Sequence, residues 1–506
     1  MTIIDTARAS GTPWPHFALA ATGLEAQPVA ATAAWASPTS TASTNALLST
    51  AYWSGTVSYS FPDSPFDYGY GYAEAFNNFA SVSYAQKAAI RAILEGGSAS
   101  ASGPRMTLTP VEGFTAMDFA YLGTGIADIR IAQSSSAGET AYARYPGPGA
   151  GGDIWFGRVY DYTKPKIGDY SYMTALHELG HALGLKHAHE SGGVSGLALA
   201  HARDSLEYTV MTYHSYVPGS HAEPAPNYYT NETYGYAQTF MMEDIAALQA
   251  LYGVNYGFRA ADTVYRWNPA TGETFVDGVG QGAPGSGAAN RIFLTIWDGG
   301  GKDTYDFSAY TTRVTVNLNP GSHVALDSGQ RAMLGDGVMA RGNIFNALLA
   351  GGDLRSLIEN AVGGSGGDIL KGNAVRNVLR GNGGNDILNG AGGNDVLFGG
   401  SGRDTFVFSS GLAGEASMDR IADFRPVDDT IRLENGVFTA LTRTGKLGSG
   451  AFWTGSSAHD ASDRIIYDKT SGALLYDADG TGAAAALRFA QLKAGLTLSA
   501  ADFIVV

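Results

Sequence analysis

Apolar and polar residues alternate over residues 56–61 (TVSYSF), the period of a half-buried strand. The period then lengthens. Ser83 stands ahead of a run to residue 94 with apolar residues at helical spacing, and Gly96-Gly97 supplies the stop. Residues 129–132 and 153–156 read as short strands. Residues 140–144 read as an edge strand, and a Gly/Pro-rich loop over 146–152 connects it to the strand that follows. A helix is predicted from near Ser171 to Gly184, and a second over 240–252, with Ile245, Leu248 and Leu251 on one face and Gly253 as its stop. The stretch between these helices, 187–236, reads as loop and carries many Tyr and His. Strands and helices mixed in this way predict an α+β unit. Residues 1–50 are rich in Ala, Thr and Ser without periodicity, and read as a flexible leader or propeptide. The predicted domains are therefore 1–50, 51–257 and 258–506.

Past the middle of the chain the period becomes nine. Five copies begin at Gly363, Gly372, Gly381, Gly390 and Gly399, with the form Gly-Gly-x-Gly-x-Asp-x-apolar-x of calcium-binding β-helical repeats. Each unit predicts a six-residue turn followed by a three-residue strand, so this region is expected to be an all-β parallel roll. The carbonyls of turn positions one and three (Gly363, Ser365, Gly381, Gly383, Gly390, Gly392, Gly399) and the carboxylates at position six (Asp368, Asp386, Asp395, Asp404) offer the hard oxygens Ca²⁺ prefers. The repeat at Gly372 has lost two glycines and carries Asn377 in place of Asp. With two units per coil, Asp368, Asp386 and Asp404 fall in one row, expected to hold calcium more strongly. Asn377 and Asp395 fall in the other, with Glu359 in phase before them. Four Asp and four Lys or Arg lie within 363–408, so placement, not net acidity, would attract the cation. Residues 419–424, 465–467 and 474–476 extend the strand pattern as a β-sandwich, and Asp502 followed by four apolar residues closes the sequence.

The densest chemistry lies in the predicted helix at 171–184: His177-Glu178-Leu179-Gly180-His181-Ala182-Leu183-Gly184-Leu185-Lys186-His187. His177 and His181, four apart, share one helical face and can bind a single Zn²⁺. Gly184 can take positive φ and turn the chain so that His187 returns as a third ligand, leaving a position for water. Glu178 is placed to take that water's proton. Downstream, Met211 can form an apolar floor beneath the imidazoles, and the phenol of Tyr213 can act as a further ligand or an oxyanion donor.

Composition narrows the classes further. Glycine is 68 of 506 residues, and the excess lies in the C-terminal half. The formal net charge of −15 argues against nucleic-acid binding and is compatible with multivalent cations. There is no cysteine, hence no disulfide, thiolate zinc ligand or cysteine nucleophile. No run of 18 apolar residues occurs, so no transmembrane segment is expected, and residues 1–17 lack the pattern of a Sec signal peptide.

With these motifs in place, the chain from about residue 56 onward resembles the serralysins, metzincin proteases with C-terminal calcium-binding repeats. The resemblance implies a secreted zinc endopeptidase, with one catalytic Zn²⁺ held by His177, His181, His187 and Tyr213, Glu178 as general base and Met211 in the Met-turn. It implies that Ala141, Tyr142 and Ala143 pair with the substrate backbone. Arg259, Asp298, Gly300 and Asp303 would bind calcium where the domains join, and several structural Ca²⁺ ions would occupy the repeats. Protein or peptide substrates, a monomeric state and export through a type I secretion machinery by an uncleaved C-terminal signal are expected. In the family Pro follows the third ligand; here Ala188-His189 follows, which makes His189 a competing candidate. The contrasting reading is a calcium-dependent, adhesin-like surface protein with a vestigial zinc site.

Overall fold

The computed structural model describes residues 31–68, 73–96, 108–138, 140–217, 229–284, 289–326, 328–412 and 417–506. In the first unit one sheet runs in the order Phe119–Tyr121, Val57–Ser60, Ile129–Gln133, Ile154–Phe156, Ala141–Ala143. The pairings are parallel until the last, where Ala141–Ala143 lies antiparallel to Ile154–Phe156 with Tyr142 opposite Trp155. The predicted edge strand is therefore the outermost strand of this sheet. Helix Tyr84–Glu95 starts on a capping box between Ser83 and Gln86 and ends at Gly96 with φ 69°. Helix Tyr170–Ala182, which carries the histidine motif, is capped by Asp169, whose side chain accepts from the Tyr172 N–H. It packs beside the edge strand, and all its residues from Ser171 to Ala182 are buried.

Part of the expected leader is ordered. Thr32–Trp35 pairs with Ala51–Ser54, and helix Ala42–Leu47 packs on helix Met242–Tyr252, with Leu47 and Leu48 fully buried. Residues 32–50 thus belong to the first folded unit; their apolar contacts are made to distant segments, so no local periodicity announced them. The remainder of that stretch, residues 1–30, lies outside the described residues.

The repeats wind as predicted. Ile369–Lys371, Ile387–Asn389 and Thr405–Phe408 stack in parallel in one sheet; Asn360–Val362, Val378–Arg380 and Val396–Phe398 stack in the other. The register step is 18 residues, Ile369 on Ile387 and Val378 on Val396, which is two nonapeptides per coil. The middle residue of each strand points inward: Leu370, Leu379, Leu388, Leu397 and Phe406 are all fully buried. Each contributes roughly 1.5–3 kcal/mol of apolar burial. The coils continue on both sides of the repeats, through Thr304–Asp306 and Thr315–Asn317 before them and Asp419–Ile421 and Thr430–Leu433 after.

Packing crosses the predicted boundary near residue 257. Phe293, Trp297, Leu334 and Phe345, all from the C-terminal region, belong to the same buried cluster as the motif helix. No helix among the described residues is long and apolar enough to cross a membrane.

Candidate metal centre and substrate cleft

Gly184, with φ 97°, reverses the chain after the motif helix. A Cβ there would stand 2.5 Å from the Ala51 carbonyl, so the position requires glycine for space as well as for conformation. The reversal brings His187 back toward the helix. His177, His181 and His187 each offer a nitrogen within 4.8 Å of the others. Their outer nitrogens are already engaged: His177 Nδ1 with the Val210 carbonyl at 2.7 Å, His181 Nδ1 with the Leu185 carbonyl at 2.8 Å, and His187 Nδ1 with Glu190 Oε1 at 2.8 Å. With Nδ1–H donated outward, each Nε2 lone pair faces the centre. His181 Nε2 and His187 Nε2 stand 3.0 Å apart, and the Tyr213 hydroxyl lies 2.7 Å from His187 Nε2. Burial lowers the pKa of all three imidazoles, His177 to about 4 and His187 to about 3, so all are neutral at neutral pH. This donor set, neutral nitrogens with oriented rings and a phenol alongside, fits a zinc ion.

Glu178 points into the same cleft. It is 4% exposed, its Oε2 is buried without a hydrogen-bond partner, and burial pushes its pKa up to about 8. His189 sits elsewhere. Ala188 is fully buried, its N–H donating to the Met211 carbonyl, and this anchor sends His187 inward and His189 outward. The exposed His189 ring stacks on His187 at 5.3 Å between centroids and stays outside the triad. With His187 and Glu190 it forms a second group whose ligand atoms also lie within 4.8 Å of one another.

Met211 lies beneath the helix: a Cβ on Gly180 would fall 2.4 Å from its sulfur. Its turn is clamped by Asp244, which accepts from the Val210 N–H at 2.8 Å, the Met241 N–H at 2.9 Å and the Thr209 hydroxyl. Sequence reasoning missed Asp244. Its only signal was an acidic residue in the first turn of the last helix, which reads equally well as an ordinary cap. Lys186 was also missed: buried, it donates to the carbonyls of Glu190 and Leu197 and so ties down the loop after the third histidine. Replacing Asp244 by Ala leaves two buried N–H groups unpaired. The expected cost is about 2–4 kcal/mol of stability, together with weaker zinc retention, read by thermal unfolding and by metal content after dialysis.

Two family models match the chain: the serralysin C-terminal region of peptidase family M10 over residues 254–447, and matrixin over residues 115–207. Metallopeptidase AprA of Pseudomonas marginalis is 36% identical over 364 residues, covering 69% of this chain and 68% of that protein. The chain belongs to the serralysin family. Metalloprotease AprA of Pseudomonas entomophila strain L48 is 40% identical over 311 residues, with 59% of this chain and 58% of that protein covered. Serralysin C of Dickeya chrysanthemi is 38% identical over 239 residues, 46% of this chain and 43% of that protein. The chain thus matches between about half and two thirds of these relatives' lengths. The described architecture, a few-helix metallopeptidase unit followed by a large all-β region, is that of the family.

In this serralysin the repeat carboxylates form two ladders. Along one, Asp368 Oδ1 accepts from the Val314 N–H, Asp386 Oδ1 from the Asp368 N–H, and Asp404 Oδ1 from the Asp386 N–H. Along the other, Asp303 Oδ1 accepts from Thr263, Glu359 Oε2 from Asp303, and Asp395 Oδ1 from Asn377. The second oxygens of Asp303, Asp386, Asp395 and Asp404 are buried with no partner. Beside them glycines leave room: a Cβ on Gly381 would stand 2.1 Å from Asp386 Oδ2 and 2.7 Å from the Gly399 carbonyl. Unpartnered carboxylate oxygens and carbonyls around a cradle that a Cβ would fill fit a calcium ion. Asn377 differs. Its amide donates to the Glu359 carbonyl and to Asn373 Oδ1 and accepts from the Asn373 N–H, so protein groups alone close its turn. At the domain junction Asp298 accepts from Tyr265 and from the Gly300 N–H, and Arg259 turns its guanidinium to the Leu108 carbonyl and to Tyr265.

Proposed function

We propose that this chain is a zinc-dependent endopeptidase working outside the cell, with a C-terminal roll folded around calcium. The observation that supports this most is the convergence of His177, His181 and His187 beside Glu178, in a cleft walled by the sheet's outermost strand. His177, His181 and His187, with Tyr213 alongside, would hold the zinc, which when bound would supply Lewis acidity toward the scissile carbonyl and toward a water. Glu178 takes the proton of the attacking water and returns it to the departing amine. Tyr213 donates its hydroxyl to the carbonyl oxygen as negative charge develops there. Ala141, Tyr142 and Ala143 offer backbone groups to an extended substrate, which adds as a further strand and is held in place for attack.

The calcium assignment rests on Asp303, Asp386, Asp395 and Asp404 and the glycine cradles beside them. Calcium is scarce inside cells and abundant outside, so a calcium-dependent roll would fold after export. The C-terminal Asp502 with its apolar tail is the proposed signal for type I secretion.

Casein hydrolysis that stops on zinc chelation and returns with zinc is the expected result; chelator-insensitive or absent cleavage would favour the adhesin-like reading. Tyr213→Phe is expected to lower kcat by about 10²-fold with KM little changed. An equal rise in KM would instead mean that the phenol serves ground-state binding.

A further inference from the structure

His189, a rival for the third ligand on sequence grounds, has its own set of neighbours in the fold. Residues 187–190 form a tight turn, in which the Glu190 N–H donates to the His187 carbonyl at 3.2 Å. The turn is fixed on both flanks. Ala188 is fully buried; its N–H donates to the Met211 carbonyl at 3.0 Å, and its carbonyl accepts from the Leu199 N–H at 2.8 Å. The Lys186 ammonium donates to the Glu190 carbonyl at 2.5 Å. A turn held in this way keeps its first, third and fourth side chains together in advance of any ligand.

Those side chains are His187, His189 and Glu190, and one ligand atom from each lies within 4.8 Å of the other two. The set differs in kind from the calcium ladders. Two imidazoles and one carboxylate suit a borderline cation such as Zn²⁺, and do not suit Ca²⁺ or Mg²⁺. The set is also open to solvent: the Glu190 side chain is 43% exposed, and His189 is exposed. His187 Nδ1 and Glu190 Oε1 share a hydrogen bond of 2.8 Å. An ion entering there displaces the shared proton to solvent. With bonds of about 2.0–2.1 Å, it sets the two atoms about 3.3 Å apart. The exposed His189 ring, with its centroid 5.3 Å from His187 and 5.0 Å from Tyr213, swings in as the third donor.

We propose that His187, His189 and Glu190 form a second zinc site at the rim of the cleft, and that filling it inhibits the enzyme. His187 then serves two ions, Nε2 toward the triad and Nδ1 toward the rim. The rim ion takes over the carboxylate that orients the His187 ring, and the ring turns with it. It also fixes His189 against Tyr213. The inhibition rests on the endopeptidase reading; the site itself rests on the turn.

The test uses the full-length protein in saturating calcium, dialysed against rising Zn²⁺, with bound zinc counted by plasma mass spectrometry and casein hydrolysis followed in parallel. The wild type is expected to take up one zinc more than His189→Ala, and its hydrolysis to fall as that ion binds. Mg²⁺ at the same concentrations should leave hydrolysis unchanged. His189→Ala keeps the buried Ala188 and the triad in place, so in low zinc it should retain the first ion and the wild-type kcat/KM. Its inhibition should need at least about tenfold more zinc, the low end of the loss seen when even an outer partner of a metal ligand is removed. Equal zinc uptake by the two proteins overturns the site. Equal sensitivity of their hydrolysis to zinc overturns inhibition through it. A wild type that hydrolyses nothing yet binds the extra zinc overturns the endopeptidase reading and upholds the site.

Discussion

Glu178→Gln is expected to lower kcat/KM on casein by about 10²- to 10⁴-fold, the range for loss of a positioned general base, while zinc content is unchanged. The nitrogens that converge belong to His177, His181 and His187, so the glutamate is not needed to hold the metal. Its role follows from burial with one oxygen unpartnered, in the cleft where a substrate carbonyl would lie. Gln keeps the volume and removes the basic oxygen, so packing around the helix should survive. Activity close to wild type would refute the assignment. Zinc loss in this variant would instead mean that the carboxylate helps to hold the ion. Zinc content and single-turnover cleavage, measured on one preparation, separate these outcomes.

Withdrawal of calcium at pH 8 is expected to unfold the roll. Without the cation, Asp303, Asp386, Asp395 and Asp404 each keep a buried carboxylate oxygen without a partner in a low-dielectric interior. Burial pushes Asp386 and Glu359 each up to about 7, and raises Asp303 and Asp395 as well. These folded-state pKa values lie above the unfolded ones, so ionisation favours the unfolded chain. The ion-free roll should therefore be most stable in acid and lose stability as pH rises from about 4 through about 7. Calcium binds the ionised form, so its stabilising effect should run the other way and grow with pH. Thermal unfolding at pH 5, 6, 7 and 8, with calcium and with chelator, checks both signs. A chelated protein that unfolds at pH 8 at the same temperature as the calcium-loaded one would refute the calcium ladders.

Much of this molecule is local, and local order is legible. The capped helix Tyr84–Glu95 differs from its predicted span by one residue, because Ser83, Gln86 and Gly96 act within a turn of where they stand. The nonapeptide period became the 18-residue register step of the two sheets because each turn and strand is built from its own nine residues. The histidine motif is legible for the same reason: spacing of four on a helix, then a glycine reversal, sets three imidazoles in one place.

What the sequence by itself determined, then, was the helix and strand periods, the repeat coil and the convergence of three histidines beside Glu178. The tertiary structure decided the rest. It folded residues 32–50 onto the first unit and placed Phe293 and Trp297 in its core. It put Asp244 under a turn 34 residues upstream, and turned His189 outward by burying Ala188. It also joined Thr174 and Tyr229, far apart in the chain, into one pocket. The physical reason is common to all of these. Periodicity records the face on which a residue lies, while contacts between distant segments are set by packing and by buried polar groups finding partners, which leave no regular trace along the chain.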